Sequence, residues 1–357
     1  MPVSQKICLL VLILLTLMAS MGYLSAIHTV HWFLRVGVPE IGWMFLIPAL
    51  PAALWLGRGY PRTAVLLVAL LAGLVLWPWF RAVGVAQAMK EGLGPYHNHP
   101  HRYPLFLGQR SGHEKATEDY SSTQKWDRYE PDGPSRATVL FVHGGSWRNG
   151  TREEYPQLFD YLADRGYRVL SISYTLSGEA PYPAAPDDVA RAIVKAREFH
   201  QPVFLMGRSS GGHLALLSSY THPDLVDGVV GIYSPVDMVW SYEHPSNPAV
   251  LDSCEAIREF LGGTPDQSPD IYREASPIDQ VGRLGPATLL IHGGSDSLVY
   301  HKQSEMLSDK LEQVGVDHYL LTLPWAEHGG DITIYGPSGR LSAWAIECFL
   351  ESRLNDL

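Results

Sequence analysis

The sequence predicts an α/β fold, a mainly parallel sheet covered by helices on both faces, preceded by an N-terminal helical membrane region. Three observations lead there. From Ala137 onward, apolar runs of strand length alternate with stretches of helix length, the pattern of a parallel sheet with crossover helices. Residues 1–85 carry only Lys6, Arg35, Arg58, Arg62 and Arg81 against Glu40. Finally, Gly207-Arg208-Ser209-Ser210-Gly211 lies between an apolar strand-like run and a helical one.

Charged residues make up 18% of the 357, against about 25% in an average soluble domain. Hydrophobic residues at 46% and a mean hydropathy of -0.03 look ordinary, so the averages combine two different populations. A net charge of -10 has the wrong sign for a protein that neutralises phosphates, which excludes a nucleic-acid binder. Three cysteines, Cys8, Cys254 and Cys348, do not make a disulfide framework.

The apolar population comes first. Ile7 to Ile27 gives 21 residues without a charge, enough to cross a hydrocarbon core of about 30 Å as a helix. A secretory signal peptide also fits Lys6 ahead of this run and Ala19 and Ser20 within it. Two further runs argue against simple cleavage. Ile41 to Leu56 is shorter and holds Pro48 and Pro51, as a kinked or tilted span would; Thr63 to Phe80 ends in Trp77, Trp79 and Arg81, an interfacial aromatic and basic flank. Residues 1–85 thus read as a membrane anchor of three transmembrane helices, with one span plus a buried apolar hairpin as the alternative. Lys6, Arg58 and Arg62 on the cytoplasmic side would leave Arg35, Glu40 and everything after Phe80 on the extracytoplasmic side.

Residues 86–124 read as a linker. His97, His99 and His101, with His113 nearby, alternate there, but no Cys or carboxylate framework accompanies them, so no metal is expected. The catalytic domain is expected over 125–357. Its strands are Ala137 to Val142, Tyr167 to Ile172, Val203 to Met206, Val229 to Tyr233, Ala287 to Ile291 and His318 to Leu323. Its helices are Glu153 to Arg165, Asp187 to Phe199, Gly212 to Tyr220 and His301 to Val314, with Asp187 and Asp188 suited to a helix N-terminus. Pro235 to Pro286, containing Trp240, Tyr242, Phe260 and Leu261, is expected to form a cap insertion. Its aromatics either shape an apolar acyl pocket or fill the cap's own core.

Ligands of such sheets gather beyond the carboxyl ends of the strands. There, Gly207-x-Ser209-x-Gly211 forms a turn tight enough to hold Ser209 out above the sheet. A serine hydroxyl needs a histidine to take its proton and a carboxylate to orient that histidine. In the chain order Ser, acid, His, the candidates are Asp296, after the strand ending at Ile291, and His328, after the strand ending at Leu323. Asp331 is too close to His328 in sequence to be the preferred acid, and His318 begins a strand. His143-Gly144-Gly145-Ser146-Trp147 follows the first strand and supplies backbone NH groups for a developing oxyanion. The NH of Ser210 points the same way. His143 reads as an anchor of its loop, and His213 as a residue that packs or bonds locally.

These residues resemble the α/β-hydrolase superfamily, and within it the hormone-sensitive-lipase-like and bacterial acetyl-esterase and feruloyl-esterase-like serine hydrolases. The resemblance rests on His143 to Trp147, Ser173-Tyr174, Tyr182 to Asp188, Gly207 to His213, His292-Gly293 with Asp296, and His328-Gly329, and covers roughly residues 125–352. It implies Ser209 as nucleophile, His328 as general base and acid, and Asp296 as the orienting acid. It also implies an oxyanion hole from Gly145, Ser146 and Ser210, with Gly144 shaping the loop, and no cofactor. Two positions depart from the family pattern: Ser146 stands where a third glycine is frequent, and Arg208 where an acidic residue or histidine is usual.

The function expected is therefore a membrane-anchored, lipase-like serine carboxylic-ester hydrolase. It would act through an acyl-enzyme on small or short-to-medium acyl esters, with the lipid bilayer as its other partner. An amidase or peptidase using the same triad is the alternative within catalysis; a non-catalytic binding module on a hydrolase fold is the alternative outside it.

Overall fold

A computed structural model describes residues 1–93 and 112–356, so His97, His99 and His101 lie outside the described residues. Three stretches, Val3–Met21, Thr29–Gly57 and Pro61–Gly92, are helical and long and apolar enough to cross a membrane. The first is helix α1 (Val3–Met21) and the third is α4 (Pro61–Gly92). The second is broken into α2 (Thr29–Ile41), a 3-10 turn at Gly42–Phe45 and α3 (Leu46–Gly57). Leu12 and Ala19 of α1, Ala49 and Leu56 of α3, and Ala64, Leu71 and Val75 of α4 form one buried cluster. Val38, near the end of α2, reaches the same cluster. Arg35 and Glu40 of α2 also bond the α/β domain, at Glu327 and Ser338.

That domain is built on one eight-stranded sheet in the order β1-β2-β4-β3-β5-β6-β7-β8. The antiparallel edge consists of β1 (Lys115–Asp119) and β2 (Lys125–Tyr129), with β2 pairing β4. The parallel strands are β3 (Ala137–Val142), β4 (Tyr167–Ile172), β5 (Val203–Arg208), β6 (Gly228–Ile232), β7 (Thr288–Gly293) and β8 (His318–Leu323). Between them run α5 (Pro156–Ala163), α6 (Ala184–Arg197) and α7 (Ser210–Thr221), then α8 (Met238–Glu243), α9 (Ser253–Leu261), α10 (Pro269–Glu274) and α11 (Pro277–Gln280), and finally α12 (Lys302–Val314) and α13 (Pro337–Asp356).

The strand period of two decides which residue faces which layer. Val139 and Phe141 of β3 pack with Phe159 of α5 and Trp344 and Phe349 of α13. Leu140 and Val142 pack on the opposite face with Val189 and Ile193 of α6 and Leu214 of α7. Ala82, Ala86 and Met89, in the second half of α4, join the α5 and α13 layer. The helix thus leaves the apolar bundle and becomes part of the α/β core.

Several expected boundaries differ. The stretch 86–124 expected as a linker contains the last turns of α4 and the whole of β1. β1 carries the polar sequence KATED and is largely exposed, so no apolar run announces it. The expected helix from Glu153 begins at Pro156, whose fixed φ suits the first helical turn. The expected helix from Asp187 begins at Ala184; Asp188 accepts hydrogen bonds from Thr175 N and Oγ1 at 2.8 and 2.6 Å, tying α6 to the chain beyond β4. The helices α8 to α11 occupy the expected cap segment.

Candidate active site

Residue Ser209 sits at the junction of β5 and α7 with φ 53° and ψ -126°, a conformation that an L-residue holds only when its surroundings enforce it. The two glycines of the motif provide that enforcement. A Cβ on Gly207 would lie 2.2 Å from Gly211 O, and one on Gly211 would lie 2.2 Å from both Val142 O and His143 O. Strand, helix and the neighbouring loop therefore close around the turn as only glycine permits. Ser209 N donates to Ile232 O at 2.9 Å, which fixes the turn to β6.

The three residues expected to work together meet. His328 Nε2 is 3.0 Å from Ser209 Oγ, and His328 Nδ1 is 2.7 Å from Asp296 Oδ2. Asp296 Oδ1 accepts from the backbone NH groups of Leu298 and Val299, each at 2.9 Å. Burial works to raise the Asp296 carboxyl, but the facing His328 and His292 outweigh it and hold the acid well below the usual carboxylate range. Burial works against a proton on His328; Asp296, and more weakly Glu327 and Asp331, reverse that and raise its pKa.

Opposite Ser209 lies the glycine loop. A Cβ on Gly144 would stand 3.3 Å from Ser209 Cβ, so the loop and the serine approach as closely as their backbones allow. Gly145, Ser146 and Trp147 all have positive φ, at 118°, 56° and 59°. His143 anchors the loop: its Nδ1 is 2.8 Å from Gly144 O, its ring stacks on Tyr174 at 4.4 Å, and Tyr174 Oη donates to its carbonyl. Burial pushes the His143 imidazole down to about 4, so it is neutral at physiological pH. His213, likewise pushed down to about 4 by burial, accepts from Trp147 Nε1 and bonds Ala275 O. Gly144, Gly145, Ser146, Ser209, Ser210 and His328 all line one cavity of about 430 Å³.

Residues beyond the sequence expectation complete the site. Arg208, next to Ser209, pairs with Asp331 at 2.6 Å, both almost wholly buried, and Tyr233 Oη donates to the other Asp331 oxygen at 2.7 Å. The unusual arginine thus has its counter-ion, and Asp331 is the partner of Arg208 rather than of His328. His292 reaches Asp296 Oδ2 from the other side at 3.3 Å. Of the cap's aromatics, Trp240 lines the cavity, Tyr242 packs edge-on to Tyr272 within the cap, and Phe260 stacks on Trp147 of the glycine loop at 4.6 Å, a use the sequence did not suggest. Thr29 and Trp32 of α2 line the cavity as well. An apolar membrane-like segment gives no sequence signal for such a role. Among the described residues, no group of His, Cys, Asp and Glu is placed to hold a metal, and His113 instead pairs with Asp164 at 2.8 Å.

Comparison with known proteins places this geometry in context. The family model BD-FAE matches residues 127–311. The esterase LipC of Mycobacterium tuberculosis is 32% identical over 249 residues, covering 63% of this chain and 60% of LipC. The probable carboxylic ester hydrolase LipM of the same organism is 29% identical over 247 residues, covering 63% and 56%. The chain therefore spans less than two thirds of the length of these curated relatives. Among solved structures, an esterase of Pyrobaculum calidifontis superposes with a TM-score of 0.57 at 22% identity, over 77% of this chain and 93% of that one, which shows the α/β-hydrolase fold.

Proposed function

We propose that this chain, which belongs to the BD-FAE family, is a membrane-anchored serine carboxylic-ester hydrolase acting through an acyl-enzyme on small or short-to-medium acyl esters. The observation that carries the reading is the continuous hydrogen-bonded path from Ser209 Oγ through His328 to Asp296, at 3.0 and 2.7 Å, open to the cavity below the Gly144-Gly145 loop. In this mechanism Ser209 Oγ attacks the ester carbonyl while His328 Nε2 takes its proton. Asp296 remains ionised, orients the ring and stabilises the imidazolium. The NH groups of Gly145, Ser146 and Ser210 receive the oxyanion, with Gly144 keeping the loop close. His328 then protonates the departing alcohol, and a water activated by the same nitrogen releases the acid.

The anchor assignment draws support from the apolar bundle of α1, α3 and α4, and its orientation from two ends of different charge. Gln5, beside Lys6, lies against Gly59 in the loop carrying Arg58 and Arg62; the hydrolase domain lies at the other end. On this reading the basic end is cytoplasmic and the catalytic domain extracytoplasmic.

A fluorophosphonate probe tests the chemistry. Labelling of the full-length protein that disappears in Ser209→Ala and in His328→Ala, together with turnover of an aryl ester far above that of the matching anilide, is the expected result. Unchanged labelling of Ser209→Ala, or equal turnover of ester and amide, overturns it.

A further inference from the structure

Helix α2 turns its two charged residues toward the protein and leaves three large apolar residues exposed. One stripe, Val30, Phe33 and Ile41, is exposed, with Val30 and Phe33 at 68% and 60%. Trp32 and Arg35 on the opposite side, and Glu40 in the last turn, are turned toward the α/β domain. Arg35 pairs with Glu327 and donates to Ser295 O at 3.0 Å, while Glu40 accepts from Ser338 N and Oγ at the start of α13, at 3.0 and 2.5 Å. Thr29 Oγ1 donates to Ala249 O in the cap segment, and Thr29 and Trp32 form part of the cavity wall. A helix that turns both of its charged residues inward and leaves Val30, Phe33 and Ile41 outward faces a medium that does not reward exposed charge.

Position says which medium. The C-terminal end of α2 sits on the apolar bundle, where Val38 packs close to Gly22 at the end of α1 and Gly42 meets Val75 of α4. From there α2 runs along the hydrolase domain to the cavity. The cavity's own rim continues the apolar exposure: Ile332, four residues after His328, is 61% exposed and lines it.

Resting on the esterase reading above, we propose that the substrate is an amphiphilic ester held in the bilayer, delivered to Ser209 along the exposed face of α2. The α2 helix lies in the membrane interface as one wall of the site. The cavity of about 430 Å³ accepts the smaller side of the ester, and the lipophilic remainder stays against Val30 and Phe33 in the bilayer. Carbonyls of membrane esters lie at the depth of such an interfacial helix.

Two butyrate esters separate delivery from chemistry, because both form the same acyl-enzyme. Full-length protein in phosphatidylcholine vesicles is assayed on hexadecyl butyrate embedded in the same vesicles and on water-soluble p-nitrophenyl butyrate. Replacing Val30 and Phe33 together by Asp places charge on the exposed stripe without touching the hydrogen-bonded residues. The expected result is a fall of tenfold or more on hexadecyl butyrate with p-nitrophenyl butyrate turnover kept within twofold, which also shows that the variant is folded. If the double variant is not recovered, Phe33→Ser is expected to lower the embedded-ester rate at least threefold under the same control. Equal changes on both esters, or none, overturn the proposal. Wild-type protein that cleaves only the soluble ester overturns it while leaving the esterase reading intact; wild-type protein that cleaves neither overturns both.

Discussion

Arg35 Nη1 lies 2.7 Å from Glu327 Oε2, an ion pair that joins an apolar N-terminal helix to the residue immediately before His328. Glu327 is a junction. Its other oxygen accepts from Ser297 N, Ser297 Oγ and His328 N at 2.6, 2.9 and 3.1 Å, so it ties the Asp296 loop to the His328 loop. Burial, and then the nearby Asp296, raise the Glu327 carboxyl, and the Arg35 guanidinium opposes that rise.

Removing one member of this pair strands the other. Arg35→Gln is expected to cost about 3 kcal/mol, the lower end for a broken buried pair. Glu327→Gln in the same molecule should restore most of the loss, since no buried charge remains. Thermal melts of the four proteins in detergent measure the coupling. In Arg35→Gln the anionic Glu327 also acts uncompensated on His328, which then keeps its proton to higher pH, so the acidic limb of the kcat/KM profile moves up.

The pH dependence of wild type follows from His328 itself. On the proposed mechanism the base must be neutral to take the serine proton, and Asp296 raises its pKa against the opposing effect of burial, so activity is expected to be lost as pH falls through a value raised from that of an ordinary histidine. Asp296→Asn removes that support: kcat should drop by about 10⁴, and the acidic limb of the residual activity should move to lower pH. A limb that stays in place would assign the titration to another group.

The Arg208–Asp331 pair is nearly inaccessible to water on both sides, so it serves as buried scaffold beside Ser209. Asp331→Asn leaves Arg208 charged without a counter-ion and is expected to destabilise the protein by about 3–5 kcal/mol. Protein that remains folded should still label at Ser209, because Asp331 does not contact His328 in the hydrogen-bonded path. Thermal melts and probe labelling on one sample separate the two effects.

Gly211→Ala places a methyl group 2.2 Å from two backbone oxygens, Val142 O and His143 O. Neither can move without shifting β3 and the Gly144-Gly145 loop together. The substitution should cost about 3 kcal/mol or more, at or beyond the top of the ordinary overpacking range. It should also lower labelling of Ser209, whose turn it opens. Retained stability and labelling would show that the turn has slack.

The candidate site was legible because its residues announce themselves locally. Ser209 stands between two glycines at a strand-to-helix turn, and Asp296 and His328 each follow an apolar run, so strand order alone carries them to one edge of the sheet. The parallel strands β3 to β7 could be read for the same reason: buried on both faces, they are largely apolar runs, and the half-buried edge strand β8 keeps enough of the pattern to follow them. Strand β1, polar and exposed, and the second half of α4 gave no such signal, since past Phe80 the helix mixes Arg81, Gln87, Lys90 and Glu91 with small apolar residues and its sequence does not say where bundle packing ends and domain packing begins.

By itself, then, the sequence determined the α/β class, the Ser-Asp-His order and the apolar character of residues 1–85. Only the tertiary structure decided that Arg208 belongs with Asp331, that Arg35 and Glu40 turn inward against Glu327 and Ser338, and that Trp32 walls the cavity. Local pattern reports a residue's own preference for burial or for a turn. The partner of a buried charge is instead chosen by chain segments hundreds of residues away, Glu40 and Ser338 among them, and that choice exists only once the layers have closed.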